Sequence, residues 1–133
     1  MNSRHLNAGV YLVVLCILFT IGACQSNRYV QGKRIYGTLC ENCHGEKGQG
    51  LENLIPALSP ANFENKNLDR TVCVIKNGVN ANKLGVLLNV MPNHPKITPA
   101  ELTNLINYIK NDIFGMMEET SLKDIEEKLK SCK

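Results

Sequence analysis

Five consecutive residues, Cys40-Glu41-Asn42-Cys43-His44, constrain this chain more than any other feature of its sequence. Two thiols at this spacing can form thioethers to the two vinyl groups of one haem, and the adjoining imidazole can then bind the iron as its proximal ligand. The pattern therefore predicts one covalently attached haem c, with Cys40 and Cys43 as attachment sites and His44 as an axial iron ligand.

Three other functions of this short sequence compete with haem attachment. A thioredoxin-like dithiol would follow a buried strand, whereas residues 34–39 have a pattern typical of a helix. A zinc site needs two further ligands, and the candidates Cys73, Cys132 and His94 are distant in the sequence. A simple disulfide between Cys40 and Cys43 would leave the neighbouring imidazole without a role.

Residues 1–23 have the layout of a secretory signal peptide. A polar stretch containing Arg4 precedes an apolar run from Ala8 to Ile21, and the small residues Gly22 and Ala23 follow. The alternative is a retained transmembrane anchor, and the apolar run is shorter than the roughly 20 residues that span a bilayer. We therefore expect an exported protein.

The four residues that end at Cys24, Ile21-Gly22-Ala23-Cys24, resemble a bacterial lipobox, whose cysteine is lipidated and becomes the mature N-terminus. Gln25 follows in place of an aspartate, which favours the periplasmic side of the outer membrane over retention at the inner membrane. Several acyl chains on one residue form a lasting anchor, because each buried methylene contributes about 0.8 kcal/mol. An ordinary cleavage site with a chance cysteine is the alternative.

Length and composition limit the kind of domain that can follow the predicted signal peptide. A chain of 133 residues favours one domain, and 44% hydrophobic residues beside 20% charged residues argue against a largely disordered chain. The net charge of +3 without a dense Lys/Arg stripe excludes a dedicated nucleic-acid binder. We expect a short tether over residues 24–29, one domain over residues 30–114 and a helical extension over residues 115–133.

Helical periodicity predicts an all-α fold of three to four helices. The first ends at the Cys-x-x-Cys-His sequence and carries five residues at helical spacing on one face: Gly32, Tyr36, Leu39, Cys40 and Cys43. The second covers Leu68 to Asn77, and Gly78 fits its stop position.

The third predicted helix runs from Pro99 to about Phe114 behind a capping box of Thr98 and Glu101. A short fourth helix opens at Ser121, and its apolar face consists of Leu122, Ile125 and Leu129.

From about Val30 to Asp112 the chain resembles class I cytochromes c. In that family a helix ends in Cys-x-x-Cys-His, loops wrap the haem, a methionine-proline pair follows, and a capped helix closes the domain. Met91-Pro92, followed by the capped helix from Pro99, is similar to that arrangement. The resemblance implies a small cytochrome c fold in which three to four helices surround one covalent haem c.

The resemblance also implies roles for individual residues. Gly32, Tyr36 and Tyr108 match the positions at which the first and last helices of the family cross. Pro56 is similar to the proline whose carbonyl accepts the Nδ1 proton of the proximal histidine, and Met91 to the sixth ligand of the iron. His94 is the rival sixth ligand. The segment before the methionine, residues 87–90, departs from many relatives because it contains no aromatic residue.

Two cysteines remain outside the family's core. Cys73 and Cys132 form an even pair in a chain expected in an oxidising compartment, so we predict a disulfide that ties the C-terminal extension to the second helix. Two free thiols are the alternative. Cys16 lies in the segment that is removed with the signal peptide.

Filled axial positions predict an electron carrier and not an enzyme. With His44 and Met91 bound, the iron would not readily take up oxygen or peroxide, and one-electron transfer would be favoured. We expect a membrane-anchored, monohaem carrier with a respiratory oxidase, reductase or dehydrogenase as redox partner. Lysines such as Lys33, Lys47 and Lys83 either steer such a partner to the haem edge or are solvated surface residues. The alternative function is a haem peroxidase or ligand-sensing domain in which Met91 does not bind the iron.

Overall fold

The computed structural model describes residues 29–52, 54–79 and 91–132, together with Tyr11 and Val13. The predicted leader lies largely outside these ranges, and Cys24 and Lys83 lie outside them altogether, so the signal peptide and the lipid anchor remain predictions. Within the described ranges no helix combines the length and the apolar character needed to cross a bilayer.

The fold is all-α, as predicted. Six α-helices lie within the described ranges: α1 Val30–Leu39, α2 Glu41–His44, α3 Pro60–Phe63, α4 Leu68–Asn77, α5 Pro99–Tyr108 and α6 Leu122–Ser131. A π-helical turn, Ile109–Ile113, continues α5. The four longer helices are those that the periodicity predicts, and α2 and α3 are single turns. Only isolated β-bridges, and no strand, occur in the described part of the chain.

Helices α1 and α5 cross at a point where only glycine fits. A Cβ atom on Gly32 would collide with the backbone oxygen of Asn104 and would lie 2.6 Å from Tyr108 Cβ. One turn later the Tyr36 ring packs against that of Tyr108, with 5.6 Å between the ring centroids. The crossing expected from Gly32, Tyr36 and Tyr108 is therefore present.

The predicted single face of the first helix is wrong for two of its five residues. Gly32, Tyr36 and Cys40 are buried, whereas Leu39 is 38% exposed and Cys43 is also exposed. For Cys43 the cause is a break in the helix, whereas Leu39 is the last residue before that break. Helix α1 ends at Leu39, and Cys40, at φ −122°, is the N-cap of α2. Helical periodicity therefore does not continue through the break.

Local signals account for the bounds of α4 and the start of α5. Helix α4 ends before Gly78, which has a φ of +72°, a conformation that favours glycine. At the start of α5 the Thr98 hydroxyl accepts a hydrogen bond from the Glu101 N–H, and the Glu101 carboxylate accepts one from the Thr98 N–H. Both helices then bury their apolar faces in one core, through Leu68, Val72, Ile75, Leu102, Leu105 and Ile106.

The last helix, α6, packs against both α4 and α5. Its capping box joins Ser121 and Asp124. Of the three residues predicted to share its apolar face, Ile125 is fully buried and Leu129 packs partly against the core, but Leu122 is 44% exposed. Leu122 lies in the first turn of α6, which explains why the amphipathic pattern is incomplete there.

Candidate haem-binding site

The two cysteines of the candidate site lie at the junction of α1 and α2. The backbone carbonyl of Cys40 accepts hydrogen bonds from the N–H groups of Cys43, at 3.1 Å, and His44, at 2.8 Å. This single turn places Cys40 in the core and Cys43 at the surface, and both are free thiols. The arrangement leaves each sulfur available for a covalent bond.

The electrostatics of Cys40 argue against the dithiol alternative. Burial raises the pKa of the Cys40 thiol to about 12, and the neighbouring Cys43 adds to the rise. A redox-active dithiol depends on a lowered thiol pKa, which supplies the thiolate at neutral pH. The preceding residues, moreover, form helix α1 and not a strand.

The segment after His44 folds back towards it. The N–H of Gly50 donates to the His44 carbonyl at 2.7 Å, and the N–H of Leu58 donates to the Gly48 carbonyl at 2.7 Å. Gly50 has a φ of +73°, and a Cβ atom there would collide with Ile55 and lie 2.6 Å from the Ala57 nitrogen. Glycine at position 50 thus allows the loop to close.

The Tyr36 hydroxyl supports the same turn from α1. It donates a hydrogen bond to the carbonyl oxygen of Gly45 at 2.6 Å. Burial raises the pKa of Tyr36 to about 12, so the hydroxyl remains protonated and able to donate. The resemblance assigns Tyr36 to the helix crossing alone, and no signal in the sequence reveals this second contact.

The ring of His44 carries a polar atom without a partner. Its Nδ1 is buried, and no described residue forms a hydrogen bond of standard geometry with it. Burial lowers the pKa of His44, and the nearby Pro56 carbonyl partly offsets this by favouring the protonated ring. The structure thus places Pro56 beside His44, but the predicted hydrogen bond is not formed at standard geometry.

Met91 is held against the end of α4. Its carbonyl accepts a hydrogen bond from the Val79 N–H at 2.9 Å, and the His94 N–H donates to the Lys76 carbonyl at 3.0 Å. Gly78 permits this approach, because a Cβ atom there would lie 2.5 Å from the Met91 oxygen. Met91 is partly buried and packs against the core. The preceding segment, which includes residues 87–90, lies outside the described ranges.

Cys73 and Cys132 lie apart from this site and are joined to each other by a disulfide. They are therefore not free to complete a zinc site with Cys40 and Cys43. No three His, Cys, Asp or Glu side chains are grouped as a metal site anywhere in the described part of the chain.

The residues present fit a covalent haem c. Cys40 and Cys43 supply two unpaired thiols, and the His44 ring follows, with Nε2 as the nitrogen that would bind the iron and a buried Nδ1 that has no hydrogen bond of standard geometry. Met91 supplies a thioether sulfur, which is a known haem ligand opposite histidine. The closed loop after His44 brings Pro56, the expected acceptor for Nδ1, to the same place.

The all-α fold, the helix that ends at Cys40–His44 and the crossing of α1 with α5 define a small class I cytochrome c. The model of one protein family, described as "Cytochrome C oxidase, cbb3-type, subunit III", matches residues 27–109, which is more than half of the chain, and the chain belongs to this family. It is accordingly an electron-transfer haem protein of the cytochrome c type, a class that carries covalent haem c and acts with redox partners. No curated protein matches the chain.

Proposed function

We propose that the chain is a lipid-anchored carrier of single electrons with one haem c, bound covalently by Cys40 and Cys43. The observation that carries the proposal is the state of these cysteines. They are free thiols directly before a histidine, whereas Cys73 and Cys132 are bonded to each other. When bound, haem c supplies a one-electron couple between Fe(III) and Fe(II).

His44 and Met91 are proposed as the two axial ligands. An imidazole on one side and a thioether on the other leave no open position for oxygen or peroxide, and a thioether ligand raises the reduction potential. The Pro56 carbonyl supports the role of His44, because a hydrogen bond from Nδ1 would orient the ring and strengthen its donation. These assignments favour electron transfer over catalysis.

Axial ligation is tested by the spectrum of the oxidised holoprotein. We expect the sulfur–iron charge-transfer band in the wild type and in His94→Ala, and its loss in Met91→Ala. His94→Ala is the matched control, because its backbone bond to Lys76 does not involve the side chain. High-spin ferric haem in the wild type, with peroxide turnover, would instead support the peroxidase or ligand-sensing alternative.

We propose lipidation of Cys24 as the route to the membrane. The lipobox-like residues Ile21 to Cys24 and the signal-peptide pattern support it. Cells expressing the wild type and Cys24→Ala should be labelled with a fatty acid and fractionated. We expect labelled wild-type protein in the outer-membrane fraction and unlabelled variant in the soluble periplasm. Equal fractionation without label would contradict the anchor.

The partner proposal concerns a respiratory oxidase, reductase or dehydrogenase, and the description of the matched family supports an oxidase. Lys33 and Lys47 are exposed near the two ends of the α1–α2 segment and offer positive charge to an acidic partner. Association with such a partner should weaken as salt screens these charges. Electron transfer to isolated oxidase, measured across a salt series in the wild type and in Lys47→Ala, tests this.

A further inference from the structure

The C-terminal extension, residues 115–133, lies beyond the part of the chain that matches the family, residues 27–109, and the proposed electron transfer does not explain its presence. We infer that the extension is a brace: it links α4 to α5 and thereby keeps Met91 in place as an iron ligand. The inference rests on the proposed ligation by Met91. It assigns a positioning role to Cys73, Cys132 and Lys110.

One end of the brace is fixed to α5 and its π-helical turn. The Asn107 side chain makes two hydrogen bonds to the backbone of Thr120, through Oδ1 at 2.8 Å and Nδ2 at 3.0 Å. Lys110 is fully buried, and its Nζ lies 3.2 Å from Thr120 Oγ1 and 3.4 Å from Glu118 Oε2. A buried lysine without these partners would be strongly unfavourable, so residues 118–120 are firmly attached.

The other end of the brace is fixed to α4. Cys132, directly after α6, is bonded to Cys73 in the middle of α4. Lys128 Nζ lies 2.9 Å from Asp69 Oδ1 near the start of α4, and Ile125 of α6 is fully buried. The Asp69 side chain is 61% exposed, so the ion pair contributes little and the disulfide is the main link.

Helix α4 in turn determines the position of Met91. Its last turn and the residue after Gly78 bond to both sides of the methionine segment, through Lys76 to His94 and through Val79 to Met91. The two backbones also pack closely at Gly78, where a Cβ atom would lie 2.5 Å from the Met91 oxygen and 2.8 Å from the Asn93 nitrogen. A displacement of α4 therefore carries Met91 with it.

Without the disulfide, α4 could open locally while the rest of the domain stays folded. Segments open in cooperative units whose free energies are lower than that of global unfolding. The covalent link to α6 suppresses such an opening, because α4 can then move only together with the helix that Thr120 holds to α5. The sulfur of Met91 would leave the iron more often in a protein that lacks this link.

The test is the rate at which cyanide replaces Met91 in the oxidised holoprotein. At saturating cyanide this rate reports how often the methionine leaves the iron. We expect the double variant Cys73→Ser/Cys132→Ser to bind cyanide roughly tenfold faster than the wild type, which corresponds to ~1.4 kcal/mol. Both proteins should be shown to be folded by circular dichroism under the same conditions.

Tyr108→Leu is the matched control, because it removes the ring contact with Tyr36 at the crossing of α1 and α5, away from the contacts of α4 with α6. It should lower global stability and leave the cyanide rate unchanged. Lys110→Met is the second variant, to be used also if the double variant does not fold. It weakens the far end of the brace and should raise the rate, although Lys110 bonds to neither α4 nor Met91.

The outcomes separate the brace from the function it rests on. A wild type without the sulfur–iron band would overturn Met91 ligation and the brace together. If the band is present and the cyanide rates of the double variant and Lys110→Met equal that of the wild type, the brace alone is refuted. An equal acceleration in Tyr108→Leu would also refute it, because the rate would then follow global stability.

Discussion

The two sides of the candidate site are held in different ways. On the attachment side, the described residues between 40 and 58 are joined by backbone hydrogen bonds between residues close in sequence, as between His44 and Gly50 or between Gly48 and Leu58. On the methionine side, Met91 is bonded to the end of α4, and α4 is bonded to α6 through a disulfide with a sequence separation of 59.

This difference separates two properties of a haem protein. A local turn closes at a smaller entropic cost than a contact between distant residues. Contacts between distant residues exist only when the whole domain is folded, and they can open in part. Attachment of haem should therefore tolerate partial opening of the domain, whereas axial ligation by Met91 should be lost when the domain opens in part. Substitutions on the two sides test this difference between haem attachment and ligation by Met91. The largest effect is expected at the cysteines.

Replacement of each cysteine pair by serine, in two separate variants, should give the largest difference in haem attachment. We expect Cys40→Ser/Cys43→Ser to retain no haem after denaturation, because no thioether can form. Cys73→Ser/Cys132→Ser is the control and should keep its haem, since those sulfurs are used in the disulfide. Denaturing mass spectrometry and a pyridine haemochrome spectrum measure both. Covalent haem in the first variant would contradict the assignment of the attachment sites.

Two glycines offer a matched comparison of the sides. Gly50 and Gly78 both have positive φ, and a Cβ atom on either would press against backbone atoms. We expect Gly50→Ala and Gly78→Ala each to lower the free energy of unfolding by ~3 kcal/mol through strain and overlap. Urea titrations followed by circular dichroism measure this loss.

The two glycine variants should differ in the sulfur–iron band. In Gly78→Ala the band should disappear at lower urea than the helical signal, because Met91 lies against that glycine. In Gly50→Ala the band and the helical signal should be lost together. If the band is instead lost before the helical signal in Gly50→Ala, and together with it in Gly78→Ala, the methionine side would be the one held by more local contacts.

Removal of one hydrogen bond should have a smaller effect on the attachment side. Tyr36→Phe deletes the bond from the hydroxyl to the Gly45 carbonyl and keeps the ring contact with Tyr108. We expect a loss of about 1 kcal/mol in the free energy of unfolding, with an unchanged oxidised spectrum. A variant that loses the charge-transfer band would show that Tyr36 acts on both sides.

Acid should weaken the extension slightly. Hydrogen bonds from Ser121 lower the pKa of Asp124 below its ordinary value of 3.8, so the folded state prefers the ionised carboxylate. This contribution to stability is present above pH 3.8 and is lost as the pH falls through the folded pKa. Asp124→Asn should therefore show a smaller decrease in urea midpoint below that pH than the wild type. Identical decreases would exclude a contribution of this cap.

Several elements could be predicted from the sequence because their causes are local. The bounds of α4, the capping box of Thr98 and Glu101, and the crossing at Gly32 follow from periodicity, caps and a family pattern. The face that included Cys43 was wrong, because the break at Cys40 interrupts the helix before it. Leu39 lies before the break, in the last turn of α1, and is exposed there. The helical periodicity of the sequence does not reveal such a break.

Other contacts could not be predicted, because they join residues that the sequence keeps far apart. Lys110 looks like a surface residue and is fully buried, since Thr120 and Glu118 of the extension reach its ammonium group. The hydrogen bond of Val79 to Met91 is similar, because it depends on how α4 is placed against the methionine segment.

The candidate haem ligands could be identified from the amino-acid sequence: two thiols and an imidazole in one turn, with a methionine-proline pair before a capped helix. Those features lie within single turns or loops, where covalent spacing alone fixes the geometry. The hydrogen bond that supports Met91 and the disulfide of the extension are seen only in the folded structure. These depend on packing between distant segments, and many sequences with the same local patterns could pack in other ways.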